Sequence, residues 1–558
     1  MSSPSPSPST SLSTSPLADA KRPVYPAKLS SSSIFVKAGY LINQLCYKVP
    51  IDHRPKDGKT NKTILITVRV VLGHSSAEDG NLKGTGVHLN PIKPIAVYLV
   101  GGPGSNNPPT AHPALNDFYL AKGFQIMYMD YRGTGSSHLL RADELSEAFG
   151  NSAQSGGEPI LQTFTPQEQA DHLALFRQDN IVRDLEAVRK SLQNCGIQSA
   201  RKWTLVGQSY GGWVSFSYLS LYPQSLQMVI VTGGIPPVGQ TADAVYKNTY
   251  KTLIKACDTF YGKFPHHEAT VRDILEFIAR QRRDRCGNGA SLKMPGGGVL
   301  TPERFLCLGR TLGTTDGDAK VDRALVACLE DVQRGRFSED TLRRIESWLR
   351  FEERPLYALL HEAIYTEPGM AAASWSAERT GKMLPQYWWL EQGAFDRVFS
   401  GLDEDAAFRK EHFDGKRIYM SGEHVYRFHF DQHRALLPLK KAAEILAKKD
   451  DWPLLFDAAQ LALNEVPISS LSYDLDMFID WELSQSTVVN GKVKNIVVEH
   501  DGKLMHTAVK DRSHVVLPLV WKGLVKAVGN KAGRVLSEEE GLSAQSLIAP
   551  LEGGKKST

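Results

Sequence analysis

Trp203-Thr204-Leu205-Val206-Gly207-Gln208-Ser209-Tyr210-Gly211-Gly212-Trp213 is an apolar run of strand length that breaks into a G-x-S-x-G pattern. Beyond it, Trp213, Val214, Phe216, Tyr218, Leu219 and Leu221 suit a helix packed on a sheet. Together they predict a strand that turns sharply into a helix, with Ser209 strained between them and Gly207 and Gly211 making room by carrying no Cβ. The hydroxyl then stands clear of the sheet, and the first N–H groups of the helix point at whatever binds there. Alone the motif is weak, because an ordinary Gly-rich turn also produces it.

Working outward, Pro94 to Val100 is a continuous apolar run that ends in Gly101-Gly102-Pro103-Gly104. A second run, Phe124 to Met129, ends in Asp130-Tyr131-Arg132-Gly133-Thr134-Gly135-Ser136-Ser137. Unbroken runs of this kind are strands buried on both faces of a parallel sheet. A helix over about 177–195, with Ile181, Leu185, Val188 and Leu192 at helical spacing, and a strand at Met228 to Thr232 continue the alternation. The fold class predicted is α/β, a mostly parallel, doubly wound sheet whose Gly-rich turns lie at strand C-termini, where such sheets bind ligands.

Ile34-Phe35-Val36 and the stretch 61–72 read as leading antiparallel strands. From 234 to 437 helical patterns dominate (245–261, 271–282, 339–351), around a Gly-rich stretch at 286–298, and the next strand expected is Arg417-Ile418-Tyr419-Met420. Strand texture returns at 466–473 and 494–498, before a closing helix at about 513–528. The domains expected are a disordered Ser/Pro-rich tail (1–33), the first part of the sheet domain (34–235), an inserted mainly helical cap (236–437), the second part of the sheet domain (438–536) and a C-terminal tail (537–558).

With 23% charged residues, a formal net charge of +4 and dispersed Lys and Arg, nothing favours nucleic acid or an anionic membrane surface. No apolar window is long enough to span a bilayer, and the N-terminal region lacks the apolar core of a secretory signal, so a cytoplasmic location is expected. The six cysteines form no C-x-x-C pair and no metal-ligand spacing with histidine, and they read as free thiols. Four of them lie between Cys257 and Cys328, which leaves a disulfide there open. No cofactor and no metal are expected, and a homo-oligomer is left open.

A serine hydroxyl is a poor nucleophile without a histidine base and a carboxylate to orient it. The late strands deliver two of each at their ends: Asp474 and Asp476, then His500 and His506. The strand pattern does not choose within either pair.

The Gly101-Gly102-Pro103-Gly104 turn, the Asp130-x-Arg132-Gly133-x-Gly135-x-Ser137 loop and Gly207-Gln208-Ser209-Tyr210-Gly211-Gly212 together resemble the proline iminopeptidases (prolyl aminopeptidases) of the α/β-hydrolase superfamily. Leu360-His361-Glu362-Ala363-Ile364-Tyr365, Ser421-Gly422-Glu423-His424-Val425-Tyr426 and Asp476-Met477-Phe478-Ile479-Asp480 resemble that family's larger-cap branch. The resemblance runs from about 34 to 528. It implies a serine aminopeptidase that releases N-terminal proline from a small peptide substrate through an acyl-enzyme. It further implies Ser209 as nucleophile, Asp476 as orienting carboxylate and His506 as base, since Thr507-Ala508-Val509-Lys510 matches the run that follows the family histidine.

The oxyanion would meet the N–H of Tyr210 and one from the Gly-Gly-Pro-Gly turn. Pro103 has no N–H, and Gly102 is preferred over Gly101 and Gly104. Glu362 and Glu423 are the resemblance's candidates for the substrate amino group, which a desolvated pocket tolerates only beside carboxylates. Lys510 and Arg512 receive no role. Tyr131 stands where the family has Gln, and 499–505 departs from the shorter family pattern. The alternative function is an esterase or amidase of the same fold acting on a small non-peptide substrate. An inactive binding protein would lack part of the constellation, and Ser209 argues against carboxylate-nucleophile chemistry.

Overall fold

The computed structural model describes residues 15–55, 62–74, 86–107, 112–138, 140, 164–284 and 292–552. Nine strands form one sheet: β1 (Lys28–Lys37), β2 (Tyr40–Pro50), β3 (Thr63–His74), β4 (Ile95–Leu99), β5 (Gln125–Met129), β6 (Trp203–Gln208), β7 (Leu226–Thr232), β8 (Ile468–Tyr473) and β9 (Ile496–Asp501). Their order across the sheet is β1-β2-β3-β5-β4-β6-β7-β8-β9. The first three run antiparallel to their neighbours, and the pairs from β5 to β9 are parallel. Every residue of β4, β5, β6 and β8 is buried. Helices therefore cover both faces, which is why these strands read as unbroken apolar runs. The chain reverses direction at β4, between β5 and β6, and Leu99 pairs with Gly207 there, so the turns that leave β4 and β6 lie side by side.

Between β7 and β8 the chain leaves the sheet to build the cap, beginning with long helices at Ala242–Lys263 and His267–Asp284. The strand expected at Arg417–Met420 does not form. The carbonyls of Ile418 and Tyr419 accept from the Tyr261 hydroxyl (2.7 Å) and the Trp389 indole (3.0 Å), so cap side chains take bonds that a neighbouring strand would supply. A two-residue hairpin, Leu292–Lys293 with Val299–Leu300, was not expected.

Leu446 and Trp452, beyond the cap end expected at 437, share an apolar cluster with Leu359 and Leu360, with Leu173 of the Pro166–Ala174 helix and with Phe176 two residues past it. The Lys440–Lys448 helix thus packs in one cluster with the Pro166–Ala174 helix and with Leu359 and Leu360.

Both tail expectations need correction within the described residues. Pro16–Ala20 is a helix, and β1 occupies 28–33. The buried Arg183 guanidinium donates to the carbonyls of Asp19, Ala20 and Arg22, and the Ala27 N–H bonds to Ala187 O (2.9 Å), so this Ser/Pro-rich segment is tied to the Gln178–Asn194 helix. At the other end Ala544–Glu552 is helical with Ala544 and Leu547 buried, and the Trp521 indole donates to Gly541 O (2.7 Å). Residues 1–14 and 553–558 lie outside the described residues.

Beneath the β5 turn, Arg132 is fully buried and makes a two-pronged pair with Asp184, at 2.7 Å on both oxygens, while also donating to the carbonyls of Ile51, Leu175 and Pro50. Asp184→Asn strands that guanidinium in the interior and should cost about 3–5 kcal/mol, read by urea unfolding. A loss below about 1 kcal/mol, the range of exposed pairs, would show that the brace is dispensable.

Candidate active site

Ser209 sits between β6 and the Tyr210–Leu221 helix at φ 56°, ψ −124°, a backbone that side chains rarely tolerate. Its N–H bonds to Thr232 O (3.0 Å) at the end of β7. A Cβ at Gly211 would lie 2.0 Å from Leu99 O, and one at Gly207 would lie 2.5 Å from Gly211 O, so the turn closes only with glycine at both positions. Tyr131 donates its hydroxyl to Val100 O (3.0 Å), directly ahead of the Gly101–Gly104 turn. The residue that departs from the expected Gln thus braces that turn.

The two Asp/His pairs separate. Asp474 and His500 meet at 3.0 Å on the surface, with side chains 38% and 58% exposed, and His500 stacks on Trp481. Asp476 and His506 face inward and are buried. His506 Nε2 lies 2.8 Å from Ser209 Oγ, and His506 Nδ1 lies 2.8 Å from Asp476 Oδ2. The other carboxylate oxygen, Oδ1, accepts the N–H groups of Phe478 (2.8 Å) and Ile479 (3.0 Å), which locks the carboxylate's orientation. An ionised carboxylate only accepts, so Nδ1 carries the proton toward Oδ2 and Nε2 offers its lone pair to the serine. The Phe478 ring stacks on the imidazole, with centroids 4.5 Å apart, and covers its face. This arrangement can deprotonate Ser209 and return the proton to a leaving group.

A cavity of about 200 Å³ opens over Ser209 and His506. Gly101 and Gly102 line it, and Pro103 and Gly104 do not. Tyr210 opens the helix, so its N–H has no intrahelical acceptor. Trp348, Leu349, Phe351, Tyr357 and Phe478 supply apolar walls.

The two glutamates also part company. Glu423 lines the cavity, and its Oε1 accepts the Tyr357 hydroxyl and Arg310 Nη2 (3.3 Å). Its Oε2 has His361 Nε2 only at 3.7 Å, beyond hydrogen-bond length, and keeps an acceptor position open. Burial works to raise its pKa, but the His361 imidazole and Arg310 guanidinium outweigh it and hold the carboxyl down at about 2. Glu362 does not reach the cavity. Its oxygens accept the N–H groups of Ser376 (3.1 Å) and Ala377 (2.9 Å) at the start of the Ser376–Lys382 helix, beside a separate small apolar pocket. It is a helix cap, and burial pushes its pKa up to about 7.

Sequence reasoning missed Arg310, Tyr357, Arg354 and Lys510, all of which line the cavity. No motif flags them, since three come from scattered positions of the cap; only Lys510, four residues after His506, had a nearby signal. Arg512 pairs with Asp316 (3.3 Å) at the surface. Among the described residues, His266, His267 and Asp322 approach closely enough to share a metal ion, but none of them lines the cavity, and a 2.8 Å hydrogen bond from His267 to Asp322 already accounts for that pair.

A family model for the α/β hydrolase fold matches residues 97–271. A proline iminopeptidase of Aeromonas sobria is 31% identical over 464 residues, which is 82% of this chain and 91% of that protein. The proline iminopeptidase aneH of Aspergillus aculeatus is 29% identical over 476 residues, 85% and 92% of the two chains. Among solved structures, esterase E22 aligns with 87% of this chain and all of its own at a TM-score of 0.38 and 14% identity.

Because the folded pKa of Glu362, about 7, lies above its ordinary value of 4.5, the stability it contributes is present at low pH and lost as pH rises through 7. Glu362→Ala should therefore cost about 1–3 kcal/mol in unfolding at pH 5, lose part of the decline in stability toward pH 8, and leave the KM of an amine-bearing substrate unchanged. A raised KM in a stably folded variant would return Glu362 to the binding site.

Proposed function

The chain belongs to the proline iminopeptidase family, and on that premise we propose that it releases N-terminal proline from small peptides through an acyl-enzyme on Ser209. The observation that carries the assignment of residues is the buried chain of hydrogen bonds from Asp476 through His506 to Ser209.

Ser209 Oγ attacks the prolyl carbonyl as His506 Nε2 takes its proton, and His506 then hands that proton to the departing amine. Asp476 keeps Nδ1 protonated and steadies the imidazolium that forms. The oxyanion is received by the N–H groups of Tyr210 and Gly102, worth about 100- to 1,000-fold in turnover for each donor. Water, activated by the same histidine, frees the acyl group.

The charged imino group of the substrate is assigned to Glu423, the one carboxylate among the described residues lining the cavity. At a pKa of about 2 it stays ionised over any working pH. Trp348, Phe351 and Phe478 are assigned to the proline ring, which needs apolar contact and no hydrogen bond. Glu362 is left out of the binding set for the reason given above.

We assign the protein to a reducing compartment, the cytoplasm. Cys46, Cys195, Cys257, Cys307 and Cys328 are free thiols, which supports this; Cys286 lies outside the described residues. Among the described residues no helix is long and apolar enough to cross a membrane.

Ser209→Ala should reduce kcat on proline 4-nitroanilide by about a millionfold with the fold intact by circular dichroism. Should the wild type cleave 4-nitrophenyl esters but no prolyl amide, the esterase alternative replaces the peptidase. Glu423→Gln should raise KM for proline 4-nitroanilide about 10- to 100-fold, the equivalent of losing one charged hydrogen bond. Turnover of 4-nitrophenyl acetate, which has no amine, should change far less; equal losses on both substrates would remove the assigned role.

A further inference from the structure

Among the described residues, four cationic side chains, Arg310, Arg350, Arg354 and Lys510, line the cavity over Ser209, against the carboxylate of Glu423. Two of them are matched: Arg310 bonds to Glu423 at 3.3 Å, and Arg350 pairs with Glu353. The other two are not. Arg354 donates to Ser105 Oγ (3.1 Å), and neither it nor Lys510 has a carboxylate within 4.0 Å among the described residues. Desolvation lowers the pKa of both, as do the like charges of Arg350 beside Arg354 and of Arg354 and Arg310 beside Lys510, while Glu353 near Arg354 and Asp511 near Lys510 offset part of this. Arg354 is half-buried and Lys510 exposed, and the cations lining the cavity outnumber its carboxylate, so they oppose one another until an anion arrives.

Their placement says which part of a substrate could bring that anion. Lys510 lies on the Ala508–Asp511 turn immediately after His506, the group that protonates the departing amine. Arg354 precedes the Pro355–Leu360 helix and holds Ser105, in the loop that continues the Gly101–Gly104 turn. Lys510 thus follows the group that meets the leaving amine, and Arg354 flanks the turn assigned to the oxyanion, whereas Glu423 is held by Arg310 and Tyr357.

We propose that Arg354 and Lys510 form a carboxylate-binding subsite that selects short peptides, dipeptides first, whose own C-terminal carboxylate lies one residue beyond the scissile bond. The proposal rests on the aminopeptidase reading above. In a dipeptide that carboxylate is two bonds from the departing nitrogen; a longer peptide presents a neutral amide at the same place. The bound dipeptide zwitterion would then meet Glu423 with its cationic end and the two cations with its anionic end, matching both charges of the cavity.

The test compares kcat/KM for prolyl-alanine and prolyl-alanine amide at low ionic strength in the wild type, Lys510→Met, Arg354→Gln and Lys510→Arg. The wild type should favour the free acid by about tenfold or more, as one charge-assisted bond implies. That ratio should fall toward one in Lys510→Met and Arg354→Gln, survive in Lys510→Arg, and shrink in the wild type at high salt. A wild-type ratio of one, or a ratio unmoved by either neutral variant, overturns the subsite. Proline 4-nitroanilide separates the two claims: turnover with an acid-to-amide ratio of one removes the subsite and keeps the aminopeptidase, whereas no turnover of any prolyl substrate removes both.

Discussion

A serine at φ 56°, ψ −124° costs on the order of 1–3 kcal/mol and persists only where its surroundings leave no alternative. Here the confinement comes from three sides. The Ser209 N–H is committed to Thr232 O on β7, the helix backbone at Gly211 presses on Leu99 O of β4, and Tyr131, in the turn that leaves β5, holds Val100 O at the start of the neighbouring turn. Four consecutive positions in the sheet, β5-β4-β6-β7, thus converge on one residue. The sheet can impose this because its direction reverses at β4, which places the ends of β4 and β6 side by side. Remove that juxtaposition and neither the Ser209 hydroxyl nor the adjacent N–H groups would face a common cavity.

How much of this was legible depended on whether the information is local. Strands buried on both faces announce themselves as apolar runs, so β4 to β8 were expected close to where they lie. β2 was not, because its Asn43, Gln44 and Lys48 break the run; Asn43 is nonetheless buried, donating to Ser32 and Ser33 and accepting from His88. The N-terminal segment reads as a tail by composition, and its order is imposed from elsewhere: the guanidinium of Arg183 needs acceptors, and the carbonyls of Asp19, Ala20 and Arg22 supply them. Composition does not register a bond made from more than a hundred residues away. The same holds at Arg417–Met420, where an apolar strand-like run finds side-chain partners instead of a strand.

At the candidate site, residue types and spacing supplied two aspartates and two histidines, and the strand pattern left both pairs open. What separates them is the direction of the chain after each strand, and the bonds from Phe478 and Ile479 to Asp476 Oδ1 turn that carboxylate inward. The glutamates show the opposite failure. Glu362 and Glu423 each stand in a motif of similar appearance, yet one satisfies the first N–H groups of a helix and the other faces the cavity. A helix end left without acceptors is expensive when buried, and it claims the nearer carboxylate. Arg310 and Arg354 carried no signal at all, since a basic residue at a cavity wall looks like any other until the walls are assembled, and Lys510 had only its place in the run after His506.

The long insertion between β7 and β8 also orders events in time. Ser209 and β7 leave the ribosome early, but β8, which brings Asp476 and registers Ile468 against Val229, follows only after the whole cap, and His506 comes later still. A partly made chain therefore carries the serine and the glycine turn without the base or its carboxylate. On the proposed assignment its hydroxyl remains an ordinary alcohol until the inserted residues that wall the cavity have already been synthesised. On that assignment, chain order alone keeps Ser209 from acting as a nucleophile before the cavity around it is complete.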